Sequence, residues 1–350
     1  MLNNINSTAI KGKKAELIAQ KININFMTNS VVIDMDKENK KVIEKTVDEW
    51  FELACSTEDP EKQLLYYENA IRCKPEFKEA WINKADVYVK LEKFSEAIKC
   101  YNKAIKIDPE YFEAWVNEAN LFSALEIPEE AIPFYEKALS IRQDMGPVWI
   151  SIGFELLKIG VIEEALKCFV WALKLNPESA RAWVLKANAL LRLENYETAL
   201  EAYDRGLEMG PECVEAWSNR GDALLHLKRY AEALESYEKA LTLEPGFARA
   251  WYNRGMYFLE IGKFKKALES FDRAIELGLE TEQVWTEKGD AFAGLKEYEE
   301  ALEAYDIALE LNCRHKVTWE QKAKVLKSLE RFDEAEECID RYSDLDTQNI

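Results

Sequence analysis

Apolar residues return along this chain with two nested periods, one of three to four residues inside short stretches and one of 34 residues between whole blocks. Tryptophan marks the longer period most sharply, at 81, 115, 149, 183, 217, 251, 285 and 319. Four residues after each Trp stands a small one: Ala85, Ala119, Gly153, Ala187, Gly221, Gly255, Gly289 and Ala323. Seven after it come Tyr88, Phe122, Leu156, Leu190, Leu224, Phe258, Phe292 and Leu326. Offsets of zero, four and seven share one face of an α-helix. Each block is therefore predicted to open with a helix that buries its Trp and an aromatic or Leu around a small-residue notch.

Sixteen residues after Trp, all eight blocks carry Ala, from Ala97 to Ala335, and twenty after it seven carry Tyr or Phe, as in Tyr101, Phe169 and Phe271. Pro109, Pro177, Pro211 and Pro245 stand at plus 28. The pattern predicts a second helix that Pro stops, because Pro lacks an N–H and forces its predecessor out of helical geometry. A degenerate block precedes the eight, with Val47, Phe51 and Ala54 in the first-helix positions and Tyr67, Ala70 and Pro75 in the second. At plus 17 the first seven blocks have Ile or Leu, Ile98 through Leu302, which are expected to face the next block. The last has Glu336 there and Ser343 at plus 24, so the array is expected to end near 342 with a polar cap.

The segments EAWINKADVY, EAWSNRGDAL and RAWYNRGMYF resemble the opening helices of tetratricopeptide repeats, and AEALESYEKALTLEP resembles a second helix. The match runs over about residues 44 to 342 and is most similar to prokaryotic or archaeal members. The resemblance implies an all-α fold, a right-handed α-α superhelix of antiparallel helix pairs. Its organisation would be a leader at 1–40, a degenerate unit at 44–77, eight units over 78–342 and a tail at 343–350. The leader is expected to be disordered, and its apolar strip ININFMTNSVVIDM is the one segment that could instead lie in a solenoid groove, its own or a neighbour's, the latter being one route to a self-assembling structural protein. The resemblance also implies a protein-binding scaffold or adaptor.

Composition narrows the function. With 48% hydrophobic and 32% charged residues the chain can order itself, and its apolar runs are too short and too often broken by charge to cross a bilayer. A net charge of −19 argues against a nucleic-acid partner, which needs clustered Lys and Arg. The seven cysteines include no CxxC, and the only histidines are His226 and His315, so no metal site or disulfide framework is expected and no cofactor is implied. Cys100, Cys168 and Cys338 share one repeat position, where other blocks have Ala or Ser, and read as small packing residues. Unpaired cysteines fit a cytoplasmic location. No phosphate loop, GxSxG or HExxH is present, and an enzyme is not expected.

A partner, taken to be a protein or peptide, is expected on the helix face opposite the core, at offsets minus two, one, two and five from Trp. In tetratricopeptide solenoids this face lines the concave groove. It carries Asn83, Asn117, Asn219 and Asn253 at plus two, Asn120, Phe154 and Asn188 at plus five, and Arg181 and Arg249 at minus two. A carboxamide both donates and accepts, so it can pair with the backbone of an extended peptide. The four plus-two residues resemble the asparagine ladder of an O-linked glycosyltransferase repeat domain; the other reading is that they bond to neighbouring helices. Asn188, Asn219 and Arg249 partly resemble the carboxylate clamp of chaperone-binding members, with Val184 in place of its Lys. In the Trp149 unit Val170 and Trp171 replace a polar pair, which predicts local repacking, an apolar anchor, or a self-association patch for a homo-oligomer.

Overall fold

The computed structural model describes residues 45–347, so the leader at 1–40 with its apolar strip, and the last three residues, lie outside the described chain. The described residues form helices and no strand. They fall in two compact bodies divided after Val161. The first body holds α1 (Val47–Ser56), α2 (Pro60–Cys73), α3 (Lys78–Lys90), α4 (Phe94–Ile107), α5 (Phe112–Ala124), α6 (Pro128–Ile141) and α7 (Gly146–Lys158). The second holds α8 (Ile162–Leu175), α9 (Ala180–Arg192), α10 (Tyr196–Met209), α11 (Val214–His226), α12 (Tyr230–Leu243), α13 (Ala248–Glu260), α14 (Phe264–Glu276), α15 (Glu282–Leu295), α16 (Tyr298–Leu311), α17 (Lys316–Ser328) and α18 (Phe332–Thr347). Odd numbers are first helices of repeat units, named below by their Trp, and even numbers are second helices. Within each body every helix packs on its neighbours in sequence.

The core is built as the period requires. The plus-16 alanines are sealed, from Ala97 to Ala335, and the plus-20 rings of Tyr101, Tyr203, Tyr237, Phe271 and Tyr305 are buried beside them. The plus-four notch admits those rings: a methyl group on Gly289 would sit 2.4 Å from Tyr305 Cε1. Ile339, at plus 20 of the last unit, is exposed. Cys100, Cys168 and Cys338 are buried packing residues, and burial pushes the Cys100 thiol up to about 11.

Two features differ from the sequence reading or were absent from it. Each of the eight tryptophans is only half-buried. In seven of them the reason is polar: the indole N–H of Trp81, Trp115, Trp149, Trp183, Trp217, Trp251 and Trp319 donates to the carbonyl six residues earlier, for instance Trp217 Nε1 to Pro211 O at 2.7 Å. The ring ties the inter-unit turn to the helix, and a ring holding a loop carbonyl cannot also be sealed in the core.

The second feature is the turn inside each unit. The residue eleven after Trp has positive φ in all eight units, with Glu, Lys or Gly there: Glu92, Glu126, Gly160, Glu194, Lys228, Gly262, Lys296 and Glu330. The next N–H bonds back to the carbonyl at plus seven, as in Lys263 N to Phe258 O at 2.8 Å, which is the six-to-one closure of a Schellman cap. A side chain in this left-handed region costs roughly 1 to 2 kcal/mol. Gly262→Ala is accordingly expected to lower stability by about 1 kcal/mol, and Glu194→Gly to raise it by a similar amount, both read from chemical denaturation midpoints.

Candidate functional site

On the first-helix face opposite the core, plus five of the first helix meets plus 20 of the second. Tyr135 Oη donates to Asn120 Oδ1 at 2.6 Å, Tyr203 Oη to Asn188 Oδ1 at 2.6 Å, Tyr237 Oη to Asp222 Oδ1 at 2.9 Å and Tyr305 Oη to Asp290 Oδ1 at 2.6 Å; Tyr101 bonds Asp86 in the same way. The plus-two asparagine of the following unit reaches back to the same acceptor. Asn117 Nδ2 lies 3.2 Å from Asp86 Oδ1, Asn219 Nδ2 3.0 Å from Asn188 Oδ1, and Asn253 Nδ2 3.0 Å from Asp222 Oδ2 with Ser218 Oγ at 3.1 Å. Tyr, Asx and Asn thus form a lattice that runs from unit to unit within each body.

This lattice defines what the sequence-selected residues can offer. Asn117 and Asn219 are half-buried and spend one N–H on the preceding unit, which leaves a second N–H and the carbonyl oxygen. Asn253 is only 4% exposed, so its bonds are almost wholly internal. Asn120 and Asn188 serve as acceptors for tyrosines, and Asn83 is half-buried near Tyr67. In the first body Phe154 is exposed, with Lys158 Nζ 4.6 Å from its ring centre. In the second, Arg181 and Arg249 stand exposed in the first turns of α9 and α13, and Val170 and Trp171 are exposed on α8.

Within the second body the same face opens a cavity of about 630 Å³, lined by Leu191, Arg192, Asp222, His226, Tyr252, Asn253 and Met256 among others. His226 stacks flat on Tyr196 at one end, with ring centres 4.4 Å apart. Burial pushes the Asp222 carboxyl up to about 7, against the pull of the Tyr237 hydroxyl and the Arg249 charge. Glu287, on α15, takes the plus-two place normally held by Asn, while the plus-five place before it is Met256. Neither half of the lattice bond is available there, and burial, then the Asp290 charge, raise Glu287 to about 7.

The acceptors Asp86, Asp222 and Asp290 were not singled out from sequence, although a signal exists. Units with Tyr at plus 20 carry Asp or Asn at plus five, whereas the two with Phe there, Phe169 and Phe271, carry Phe154 and Met256. The repeats covary with one another as hydroxyl and acceptor must. Among the described residues no group of His, Cys, Asp and Glu is arranged to hold a metal ion, and no helix is long and apolar enough to cross a membrane.

Family models described as tetratricopeptide repeat match residues 79–111, 112–145 and 318–349, and overlapping stretches at 153–211, 184–250, 229–278 and 252–312. Among solved structures, the chain is similar to a tetratricopeptide repeat protein from Parabacteroides merdae, 19% identical over 71% of this chain and 98% of that one, with a TM-score of 0.59. It is also similar to a chain of the APC/C hetero-tetramer Cut9–Hcn1, 17% identical over 86% and 64% of the two chains, with a TM-score of 0.58. A third likeness is to pilF of Pseudomonas aeruginosa, 26% identical over 55% and 88%, with a TM-score of 0.49. No curated protein sequence matches the chain. The first two likenesses agree on the fold class, an all-α superhelix of helix pairs.

Proposed function

Because the chain belongs to the tetratricopeptide repeat family, whose members are in general non-enzymatic protein-interaction scaffolds, we propose that it is an adaptor that binds a segment of a partner protein along its first-helix face. The observation that carries this reading is the cavity of about 630 Å³ in the second body, where His226, Tyr252 and Met256 offer apolar and ring surface beside the polar lattice. The lattice itself is a rigid floor. Its Tyr–Asx–Asn bonds are internal, and net stabilisation of roughly 0.5 to 1.5 kcal/mol per hydrogen bond means that the groups left over on Asn219 alone add little to affinity. Rigid aromatic surface and the exposed guanidinium groups of Arg181 and Arg249 supply the rest, because Arg can grip a carboxylate through two parallel bonds. A cytoplasmic location accords with the unpaired cysteines.

The test uses residues outside the lattice, so that binding and folding separate. A partner captured from native lysate is purified and titrated against the wild-type chain and an Arg181→Glu, Arg249→Glu variant of unchanged helicity. The dissociation constant is expected to rise by about tenfold or more. Equal affinity for both chains would sink the assignment of the first-helix face.

A further inference from the structure

A second periodic network runs on the other side of the helices, and in one unit the carboxylate of the pair is replaced by an apolar residue. The residue three after Trp reaches the residue at plus 21 of the preceding unit. Arg220 Nε bonds Asp204 Oδ1 at 2.7 Å and Lys288 Nζ bonds Asp272 Oδ1 at 2.7 Å; Lys84 with Glu68 and Lys322 with Asp306 make the same pair. Each of these cations also lies over the tryptophan of its own unit. Arg254 departs by resting on the rings of Trp251 and Phe258. In the Trp115 unit the acid moves to the other side, and Glu118 accepts from Asn102 at 3.1 Å.

Lys186 differs from all of these. It keeps its place over Trp183, with Nζ 4.7 Å from the ring centre, and is half-buried. The residue at plus 21 before it, however, is Val170, so the carboxylate that answers the cation elsewhere is replaced by an exposed apolar side chain. Trp171 and Leu175 on the same helix are exposed as well, at 49% and 42%. Around Lys186 the surface forms a cavity of about 650 Å³ between α8 and α10, floored by Leu166, Val170, Trp183 and Leu190.

We propose that this cavity is a second interaction site, separate from the first-helix face, that takes an apolar segment of a partner protein bearing one carboxylate, with Lys186 gripping that carboxylate. The repeat supplies the argument. Four of the six cations at this position, Lys84, Arg220, Lys288 and Lys322, hold the carboxylate at plus 21 before them, and at Lys186, where Val170 stands instead, a carboxylate would come from outside. Leu166, Val170 and Leu190, which line the cavity, fit apolar side chains beside it. A highly acidic segment fits poorly, because the lining sets Glu201, Asp204 and Glu208 against Lys186 and Arg205, the last already paired with Glu208 at 3.2 Å. The site therefore selects one acid among apolar residues.

The test is a selection from a displayed random-peptide library on the full chain, followed by titration of the enriched peptides. Enriched peptides are expected to carry a single Asp or Glu flanked by apolar side chains. Their affinity is expected to fall by about tenfold or more with Lys186→Met, and likewise with Val170→Asp, which restores the internal pair and fills the site. The Arg181→Glu, Arg249→Glu variant is expected to bind them as the wild type does, and repeating the selection on Lys186→Glu is expected to turn the preference to Lys or Arg. Three results would overturn the proposal: no enrichment, enrichment without an acidic residue, or binding that Lys186→Met leaves unchanged. A concentration-dependent dimer of the chain alone that Val170→Asp dissociates would also overturn it, since a second copy would then be the occupant.

Discussion

Lowering the pH from 8 to 5 is expected to stabilise the folded chain by about 3 kcal/mol or more, the reverse of ordinary acid destabilisation. The main source is Glu118 on α5, which is 1% exposed. One of its oxygens accepts from Asn102 and the other has no donor. Burial pushes its carboxyl from 4.5 up to about 7, against the smaller pull of the Asn102 bond. Between those two values the folded chain holds a proton that the unfolded chain has released. Stability is therefore fully present below the unfolded value and is lost as the pH rises through the folded one. At 1.36 kcal/mol per unit the shift corresponds to about 3 kcal/mol. Asp222 and Glu287, also raised to about 7 chiefly by burial, act in the same direction.

The carboxyls held low act elsewhere on the pH scale. Asp108, Glu232, Glu282 and Glu334 are lowered chiefly by hydrogen bonds to Lys78, Arg229, Asn312 and Arg331, so their contribution is lost only as the pH falls through still lower values. Denaturant titrations at a series of pH values, run on the wild type and on Glu118→Gln, decide the matter. The variant keeps an acceptor for Asn102 without the buried charge, and is expected to gain about 2 kcal/mol at pH 8 while losing the share of the slope that Glu118 supplies. A variant that keeps the full slope would show that Glu118 is not its source.

What could be read from the residues divides along a physical line. The helix pairs, the plus-four notch and the plus-16 alanines follow from apolar packing, and packing repeats whenever the residues do. The half-exposed tryptophans did not follow, because the partner of seven of the eight indoles is a backbone carbonyl, which no side-chain pattern records. The left-handed turn at plus 11 was hidden for a related reason: Gly160 and Gly262 signal it in two units, while Glu and Lys hold it in the other six against their preference. The candidate site was legible as a face, yet the role of its asparagines depends on what the preceding unit presents. Asn219 bonds Asn188, whereas the position that corresponds to Asn188 before Glu287 is held by Met256, and only the stacked structure pairs plus two with the plus five before it. Lys186 is the sharpest example. It looks like any other repeat lysine until Arg220 with Asp204 and Lys288 with Asp272 reveal what should stand where Val170 is.

The covariation of plus five with plus 20 leads to the second large effect, in the Trp285 unit, where no following asparagine complicates the pair. Tyr305→Phe removes the hydroxyl that donates to Asp290 at 2.6 Å. The carboxylate stays behind in a place where burial already raises its pKa, so the substitution is expected to cost about 1 to 3 kcal/mol although the ring itself is kept. Asp290→Met alone strands the hydroxyl of a Tyr305 that is 1% exposed, and is expected to cost a similar amount. Together the two changes rebuild the pair that the Trp251 unit already uses, where Met256 packs against the cluster containing Phe271. The double variant is therefore expected to be more stable than the sum of the single losses predicts, with a coupling of about 1 to 3 kcal/mol in a double-mutant cycle. Strict additivity would mean that the hydroxyl and the carboxylate are each solvated well enough to stand alone, and the covariation between repeats would then need a cause other than this bond.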